Sequence, residues 1–325
     1  MIDLISKYRS VLMGWATLFI ILGHTIFYGS SYVYYGPIIH QIIRYGCIGV
    51  DVFLFLSGFG LVYSIKKHPV TVFYRNRISR LMPSLIMLAL FICAWYIVIG
   101  SPAVICNIYM WTSFWFLNFI ILMYIVFPLL YKFFERSSGF TSLLSMTILS
   151  IACLIPYILN GNAVNCNADV CAICRIPIFC MGAIYAMGKC EFLDNVYFEV
   201  AIALIGILIL TLFAIPTGDF PNEVFTCYYA FILMTPPLMF GLCKLSNFTH
   251  TLNKVLSDLG RYSLEIYVVQ VTIMPKIIRY GAEHSISAWF IIPISILLVV
   301  GISYAIGTCS NILREKLKLH NDKTI

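Results

Sequence analysis

A few polar side chains interrupt a strongly apolar chain, and some of their types are those used in proton transfer. His24 ends an apolar run, Asp51 opens the next one, and Ser57 lies six residues further on. Histidine suits general-base work because its proton exchanges near neutral pH. Ser57, together with Gly58 and Gly60, would let a neighbouring helix approach closely. Ionisable groups in hydrocarbon are costly, which makes these positions candidate functional sites. A hydrogen bond to a neighbouring helix would explain His24 equally well.

A basic segment after the second apolar run offers a phosphate site. Arg75, Arg77 and Arg80 lie between Phe73 and Pro83. Arg77 and Arg80 are three residues apart, so on a helix both guanidinium groups project from one side and can grip phosphate oxygens. A cytosolic phosphorylated donor, such as a nucleotide or coenzyme A, would suit the pair. Attraction to anionic lipid head groups explains the same charges without a donor.

Three further residues are weaker candidates for binding a substrate. Trp115 also fits an interfacial aromatic belt, and Arg175 lies at the outer mouth of an apolar segment, where it could bind an anion or anchor the helix end. Glu265 enters a late apolar segment together with Gln270 and is costly there unless a basic residue at a helix end pairs with it. For Asp51, the dipole at the N-terminus of its helix is a sufficient structural explanation.

The elements that must position these residues are membrane helices. The 325 residues are 61% hydrophobic and only 11% charged, whereas about 25% of the residues of soluble proteins are charged. A spanning helix needs roughly 20 mostly apolar residues. The hydropathy pattern therefore predicts an all-α, polytopic membrane protein of about ten transmembrane helices, over Val11 to Tyr28, Cys47 to Ile65, Leu81 to Ile99, Phe114 to Phe133, Phe140 to Leu159, Ala172 to Met187, Val200 to Ile215, Val224 to Leu242, Ser263 to Tyr280 and Ile286 to Ser310.

The basic residues predict the orientation of these helices. If both termini are cytoplasmic, all but four of the 21 Lys and Arg residues fall on the cytoplasmic side, as the positive-inside rule requires. The four on the other side are Arg44, Arg175, Lys276 and Arg279. The net charge of +7 then needs no nucleic-acid partner.

The remaining composition predicts one membrane domain over residues 1–325, because neither an internal repeat nor a change in composition divides the chain. Most of the 12 cysteines fit small apolar positions inside helices. Cys166, Cys171 and Cys174 are predicted to lie in an outward loop, where a disulfide, with Cys106 as a further partner, is one interpretation. A metal site is the other, although a fourth ligand is missing, and no metal is expected.

Together these strings resemble the acyltransferase-3 family of integral membrane acyltransferases, which acylate hydroxyls of bacterial surface and secreted carbohydrates. The resemblance covers nearly the whole chain, and the family's ten-helix core matches the number of helices predicted from hydropathy. Its strongest parts are Leu22-Gly-His24, Gly49-Val-Asp51 with Phe55-Leu-Ser57-Gly-Phe59, and Phe73 to Pro83 with Arg77-Ile-Ser-Arg80. Weaker parts are Trp115-Phe with Tyr124 and Pro128, Arg175-Ile-Pro-Ile-Phe179, and Ser263-Leu-Glu-Ile-Tyr267.

Two positions depart from the family pattern. The family usually has an arginine eleven positions before the histidine of the first helix, where this chain has Met13. Arg9 lies one helical turn earlier and covers a similar face, so the arginine's role is assigned to it. The family often has a second histidine where this chain has Gln270, so that role is absent or changed.

The resemblance implies an acyltransferase that moves an acyl group, typically acetyl, from cytosolic acyl-CoA to a carbohydrate hydroxyl. The implied catalytic residues are His24, Arg9, Asp51 and Ser57; those implied to bind the donor are Arg75, Arg77 and Arg80, and those implied to bind the acceptor are Arg175, Trp115 and Glu265. Acyl-CoA is a co-substrate, with no permanently bound cofactor. The expected partners are the bilayer of a bacterial inner (cytoplasmic) membrane, which the chain crosses many times, and a carbohydrate or glycolipid acceptor; a homo-oligomer is left open.

Two other classes of protein fit the sequence less well. In a proton-coupled transporter or flippase of an anionic or glycan substrate, His24, Asp51 and Glu265 would relay protons and Arg175 would meet the substrate. That class predicts an inverted repeat and gives Arg77 and Arg80 no task. A receptor-like scaffold would leave all these ionisable groups unexplained.

Overall fold

Nearly all of the chain that the structure describes is helical. The computed structural model describes residues 2–29, 32–106, 114–159, 168–214 and 220–321, and no strand occurs within these ranges. The α-helices in chain order are α1 (Ile2–Gly29), α2 (Pro37–Arg44), α3 (Ile48–Lys67), α4 (Val70–Val98), α5 (Trp115–Arg136), α6 (Gly139–Leu159), α7 (Ala168–Ile173), α8 (Ile176–Ala186), α9 (Val196–Ile209), α10 (Phe220–Ser246), α11 (His250–Arg261), α12 (Ser263–Glu283) and α13 (Ala288–Asn321).

Local sequence signals set several helix ends. Pro177 lies in the first turn of α8, where its missing amide proton costs nothing, and Gly188 takes a positive φ of 75° just after that helix ends. Asn195 caps α9, because its side-chain oxygen accepts hydrogen bonds from the amides of Tyr197 and Phe198. These signals place the turns between α8 and α9.

Eight helices of the described residues are long and apolar enough to cross a membrane, so the chain is a multi-pass membrane protein. They coincide with eight of the ten predicted segments. The seventh predicted segment overlaps α9 and includes a short π-helical turn, Leu210–Ala214; the apolar helix there is too short for this criterion. The ninth is α12, which is helical throughout but is not among the eight. The all-α prediction is confirmed; the count of ten and the cytoplasmic termini stay predictions.

The chain divides into two compact units, each assembled from three separate stretches. Unit 1 comprises residues 1–16, 48–70 and 115–257, and unit 2 comprises residues 17–47, 71–114 and 258–325. The boundary between the first two stretches falls inside α1. The single domain predicted from composition stays a prediction.

Unit 1 is built around the packing of α3 against α8. A methyl group at Gly58 would lie 2.1 Å from the carbonyl oxygen of Phe179, and one at Gly182 would lie 2.1 Å from that of Phe55. Glycine at both positions therefore lets the two backbones approach each other closely, as small residues do in membrane helix pairs.

Unit 2 contains α12 packed along α13, with α4 joined to the same helix. Gly307 on α13 leaves room for the ring of Tyr262, whose Cδ1 would lie 2.2 Å from a methyl group there. The hydroxyls of Ser84 on α4 and Ser310 on α13 are hydrogen-bonded at 2.8 Å and fully buried. Buried hydroxyls satisfied in this way hold membrane helices together.

Candidate functional site

Asp51 lies in the first turn of α3 and is buried completely, with none of its surface exposed. Its Oδ1 is 3.4 Å from Nε of Arg175. The two residues are 124 positions apart in the sequence, and packing of α3 against α8 brings them together. The helix N-terminus and the guanidinium both favour a carboxylate at this position.

Arg175 immediately precedes α8 and is only 1% exposed. Its guanidinium lies over two aromatic rings, 3.9 Å from the centre of Tyr228 and 5.2 Å from the centre of Trp115. Its Nη1 donates a hydrogen bond to the carbonyl oxygen of Cys171 at 3.2 Å. A buried cation is thus stabilised by a carboxylate, a carbonyl and two ring faces.

This cluster unites three predicted site residues that the sequence treated separately: Asp51, Arg175 and Trp115. An anionic substrate would have to compete with Asp51 for the guanidinium, so anion binding here means opening an ion pair. Sequence reasoning missed Tyr228. A tyrosine at the mouth of an apolar segment is a weak signal, because such residues usually belong to the aromatic belt.

Two further predicted catalytic residues are found at α3: Arg9 contacts this helix, and Ser57 belongs to it. Nη2 of Arg9 donates to the carbonyl oxygen of Leu56 at 3.3 Å. A methyl group at Gly60 would lie only 2.5 Å from that nitrogen, so this glycine makes room for the guanidinium. Ser57 lies on α3 with a partly exposed side chain. The catalytic roles predicted for both stay predictions.

His24 lies in α1 and is positioned by α12. Nε2 of Gln270 lies 2.8 Å from Nδ1 of His24. The imidazole stacks on Tyr28 with 5.2 Å between ring centres and 11° between ring planes, and Phe27 meets it edge-on at 6.1 Å. His24 remains partly exposed, whereas Gln270 is fully buried. A hydrogen bond and a stacked ring therefore hold the imidazole in a single orientation.

Glu265 lies in the first turn of α12 and is 5% exposed. The partial positive charge of a helix N-terminus favours a carboxylate at this position. Glu265 and Gln270 thus share a helix, as predicted, and His24 is joined to it through Gln270.

The predicted phosphate-binding residues lie on α4, confirming that Arg77 and Arg80 share one helix. The guanidinium of Arg77 lies 5.6 Å from the ring centre of Phe73, and the side chains of Arg75 and Arg80 are exposed. Arg314 on α13, one of the basic residues predicted to be cytoplasmic, donates from Nη2 to the carbonyl oxygen of Arg80 at 2.9 Å. Packing of α13 against α4 therefore adds a fourth arginine to this group.

The cysteine prediction was wrong for two of its residues. Cys171 lies in α7, with its sulfur 3.2 Å from the hydroxyl of Tyr228, and Cys174 lies just before α8; both are buried and carry reduced thiols. The helical turns there pack inward, so these cysteines act as small apolar residues. Cys166 lies outside the described residues, and so does the side chain of Cys106. In the described part of the chain, no group of three or more His, Cys, Asp or Glu residues could hold a metal ion.

The predicted site residues fall into two groups within the two units. Unit 1 holds Arg9, Asp51, Ser57, Trp115 and Arg175; unit 2 holds His24, Arg75, Arg77, Arg80 and Glu265. In the first group a closed ion-pair cluster forms. The second group contains the one predicted imidazole and the basic end of α4.

Comparison with known protein families gives a match over most of the chain. A family model described as an acyltransferase domain matches residues 10–308, which is most of the chain. No curated protein and no solved structure matches it. The matched range includes every predicted site residue except Arg9, and it ends before Arg314.

Proposed function

Because the chain belongs to the acyltransferase-3 family of membrane acyltransferases, we propose that it moves an acyl group from cytosolic acyl-CoA to a hydroxyl of an exported or cell-surface carbohydrate. The match over residues 10–308 carries this proposal. The acyl group is acetyl, the membrane is the bacterial cytoplasmic membrane, and the acceptor is a polysaccharide or its glycolipid precursor.

The reaction makes one bond and breaks one. The acceptor oxygen attacks the thioester carbonyl carbon, the carbon–sulfur bond breaks, and the hydroxyl proton ends on the sulfur of coenzyme A. His24 supplies the imidazole that contacts the reacting atoms. Its stacked, hydrogen-bonded ring supports this role, because a catalytic group must be held close to its productive geometry.

The donor binds through its phosphates to the basic end of α4. Arg75, Arg77 and Arg80 are the residues we assign to it, with Arg314 beside them. Guanidinium groups on one helix are suited to phosphate oxygens, because each can donate two parallel hydrogen bonds; those of Arg75 and Arg80 are exposed and that of Arg77 is partly buried.

The residues proposed to bind the acceptor are assigned on weaker grounds than those for the donor. Trp115 offers an aromatic face for a sugar ring, Arg175 and Glu265 offer charged hydrogen-bonding groups, and Asp51 orients Arg175. Arg9 and Ser57 complete the set proposed for catalysis. Ser57 ranks below His24 as a catalytic residue, since Ser57-Gly58 is equally explained by helix packing.

Mass spectrometry of cell-surface glycans from a deletion strain tests the proposal. We expect the loss of one acyl mass, restored by the intact gene and not by His24→Ala. In detergent, the purified protein should transfer the acyl group from acetyl-CoA, and His24→Ala should abolish transfer without changing the elution volume of the folded protein. Unchanged glycans in the deletion strain would contradict the function; full activity of His24→Ala would contradict only the role of His24.

The donor site is tested in the same assay. Replacing both Arg77 and Arg80 with Ala should raise KM for acetyl-CoA by about tenfold or more per arginine, since each lost charged hydrogen bond is worth about 1.5–3 kcal/mol. KM for the acceptor should stay nearly unchanged. The matched control replaces both Lys66 and Lys67 with Ala. This removes two neighbouring cytoplasmic charges from α3 and should leave KM for acetyl-CoA and KM for the acceptor unaltered.

A further inference from the structure

Three possible acceptors surround the side-chain amide nitrogen of Gln270. Nδ1 of His24 lies at 2.8 Å, the carbonyl oxygen of Ile20 at 3.4 Å and Sδ of Met274 at 3.9 Å. The amide oxygen of Gln270 is buried, with no hydrogen-bond partner among the described residues. All of its polar neighbours therefore lie on the nitrogen side of the amide.

These neighbours determine which way the amide points. The carbonyl oxygen of Ile20 and the thioether of Met274 have no proton to donate, so each requires a donor opposite it. An amide rotated by 180° would set its oxygen against both of them and leave two buried N–H groups unsatisfied. The observed orientation leaves a single acceptor unsatisfied, which costs less. Its NH2 group is thus the donor toward His24.

We infer that Gln270 holds neutral His24 in one tautomer, with the lone pair on Nδ1 and the proton on Nε2. A neutral imidazole has one donor and one acceptor nitrogen, so accepting at Nδ1 leaves the proton on Nε2. Gln270 is a positioning residue in this assignment. No hydrogen bond to Nε2 is formed by any residue in the described ranges, so this nitrogen is left for a substrate.

The consequence for the reaction rests on the proposed function. A nitrogen that already carries the proton cannot take one from the acceptor hydroxyl. It can instead donate a hydrogen bond to the thioester carbonyl oxygen and stabilise the negative charge that builds up there as the hydroxyl oxygen attacks. The hydroxyl proton passes to the departing sulfur, and Nε2 keeps its own. His24 is then an electrophilic catalyst rather than the general base expected from the sequence.

Nitrogen-15 NMR of the full chain in detergent tests the tautomer without any enzyme assay. With all histidines labelled, the signals lost in His24→Asn belong to His24. We expect Nδ1 to resonate as a bare, pyridine-type nitrogen and Nε2 as a protonated, pyrrole-type nitrogen. The reverse pattern would overturn the assignment. In Gln270→Met, which removes the donor and keeps the length of the side chain, we expect a mixture of both tautomers; an unchanged spectrum would show that Gln270 does not set the tautomer.

A pair of variants at His24 separates the donor from the base in the transfer assay. The amide nitrogen of His24→Gln can take the place of Nε2 and donate a hydrogen bond, but it cannot accept a proton at neutral pH. We expect kcat of His24→Gln to exceed that of His24→Ala by about tenfold or more, since a preorganised donor to an oxyanion is worth about 10²–10³ in kcat. Equal loss in both variants would overturn the donor role. Failure of wild-type transfer would instead contradict the proposed function and leave the NMR result standing.

Discussion

At the scale of single residues, the most consequential feature is a charged pair that no water reaches. Asp51 and Arg175 are both almost completely buried, and Tyr228 and Trp115 cover the guanidinium. Removing two charges from water costs several kcal/mol per ion, so the pair is stable only while both members are present. The cluster is therefore more sensitive to loss of one partner than to replacement of both.

We predict that Asp51→Asn lowers the free energy of unfolding by about 3–5 kcal/mol, because it removes the carboxylate that balances the charge of the buried Arg175 guanidinium. The change is measured by unfolding the protein in mixed micelles of a mild and a denaturing detergent. The control is Glu283→Gln, the same acid-to-amide change in the exposed pair that Glu283 forms with Arg279 at 2.8 Å; it should cost less than about 1 kcal/mol. Equal effects of the two substitutions would show that burial of the Asp51 pair has little weight.

The sequence identified the members of these contacts better than the contacts themselves. His24, Asp51 and Arg175 stand out because ionisable residues are rare in apolar segments. Their partners are distant in the chain: Gln270 is 246 residues from His24, and Arg175 is 124 residues from Asp51. Spacing rules link residues three or four apart on one helix, which is why Arg77 and Arg80 were predicted together and these pairs were not.

At the scale of helices, α3 and α8 pack as closely as their backbones permit. We predict that Gly58→Ala lowers the free energy of unfolding by about 1–3 kcal/mol or more, because the new methyl group meets the backbone oxygen of Phe179, which cannot move independently of α8. Thermal unfolding in detergent, followed by intrinsic fluorescence, measures this.

The matched control for that substitution is Gly301→Ala on α13, where, apart from the local backbone of that helix, a methyl group would meet no atom of the described residues within 4 Å. It should be neutral or stabilising by about 0.5–1 kcal/mol, since alanine loses less backbone entropy than glycine in a helix. If Gly58→Ala behaved like Gly301→Ala, the close approach of α3 and α8 would not contribute to stability.

Hydropathy predicted the helices well and their internal division less well. The sixth apolar segment, predicted from Ala172 to Met187, is two helices that meet near Arg175. The turn between them directs this arginine inward, and apolar composition carries no signal for it. Likewise α13 extends to Asn321, well past Ser310, where the predicted segment ends, because the helix continues through a basic stretch that hydropathy does not register.

At the scale of the whole molecule, the distribution of Lys and Arg predicts which loops face the cytoplasm. An epitope inserted after Ser138, between α5 and α6, should be reached by antibody only in permeabilised spheroplasts. One inserted after Ser285, between α12 and α13, should be reached in intact spheroplasts, since the basic residues counted across the predicted segments place this loop outside. Labelling of both loops from the same side would contradict the predicted ten-helix topology.

Each unit is assembled from separate stretches of the chain, and this affects the order in which its contacts can form during synthesis. Ribosomes add about 5–20 residues per second, so Arg175 is made about 6–25 s after Asp51. During that interval α3 carries a carboxylate whose partner does not yet exist. The two units that share α1 are completed only by their last stretches, residues 115–257 and 258–325. We therefore expect the first helices to remain at the insertion machinery, where water still reaches Asp51, until α8 arrives and the two can leave together.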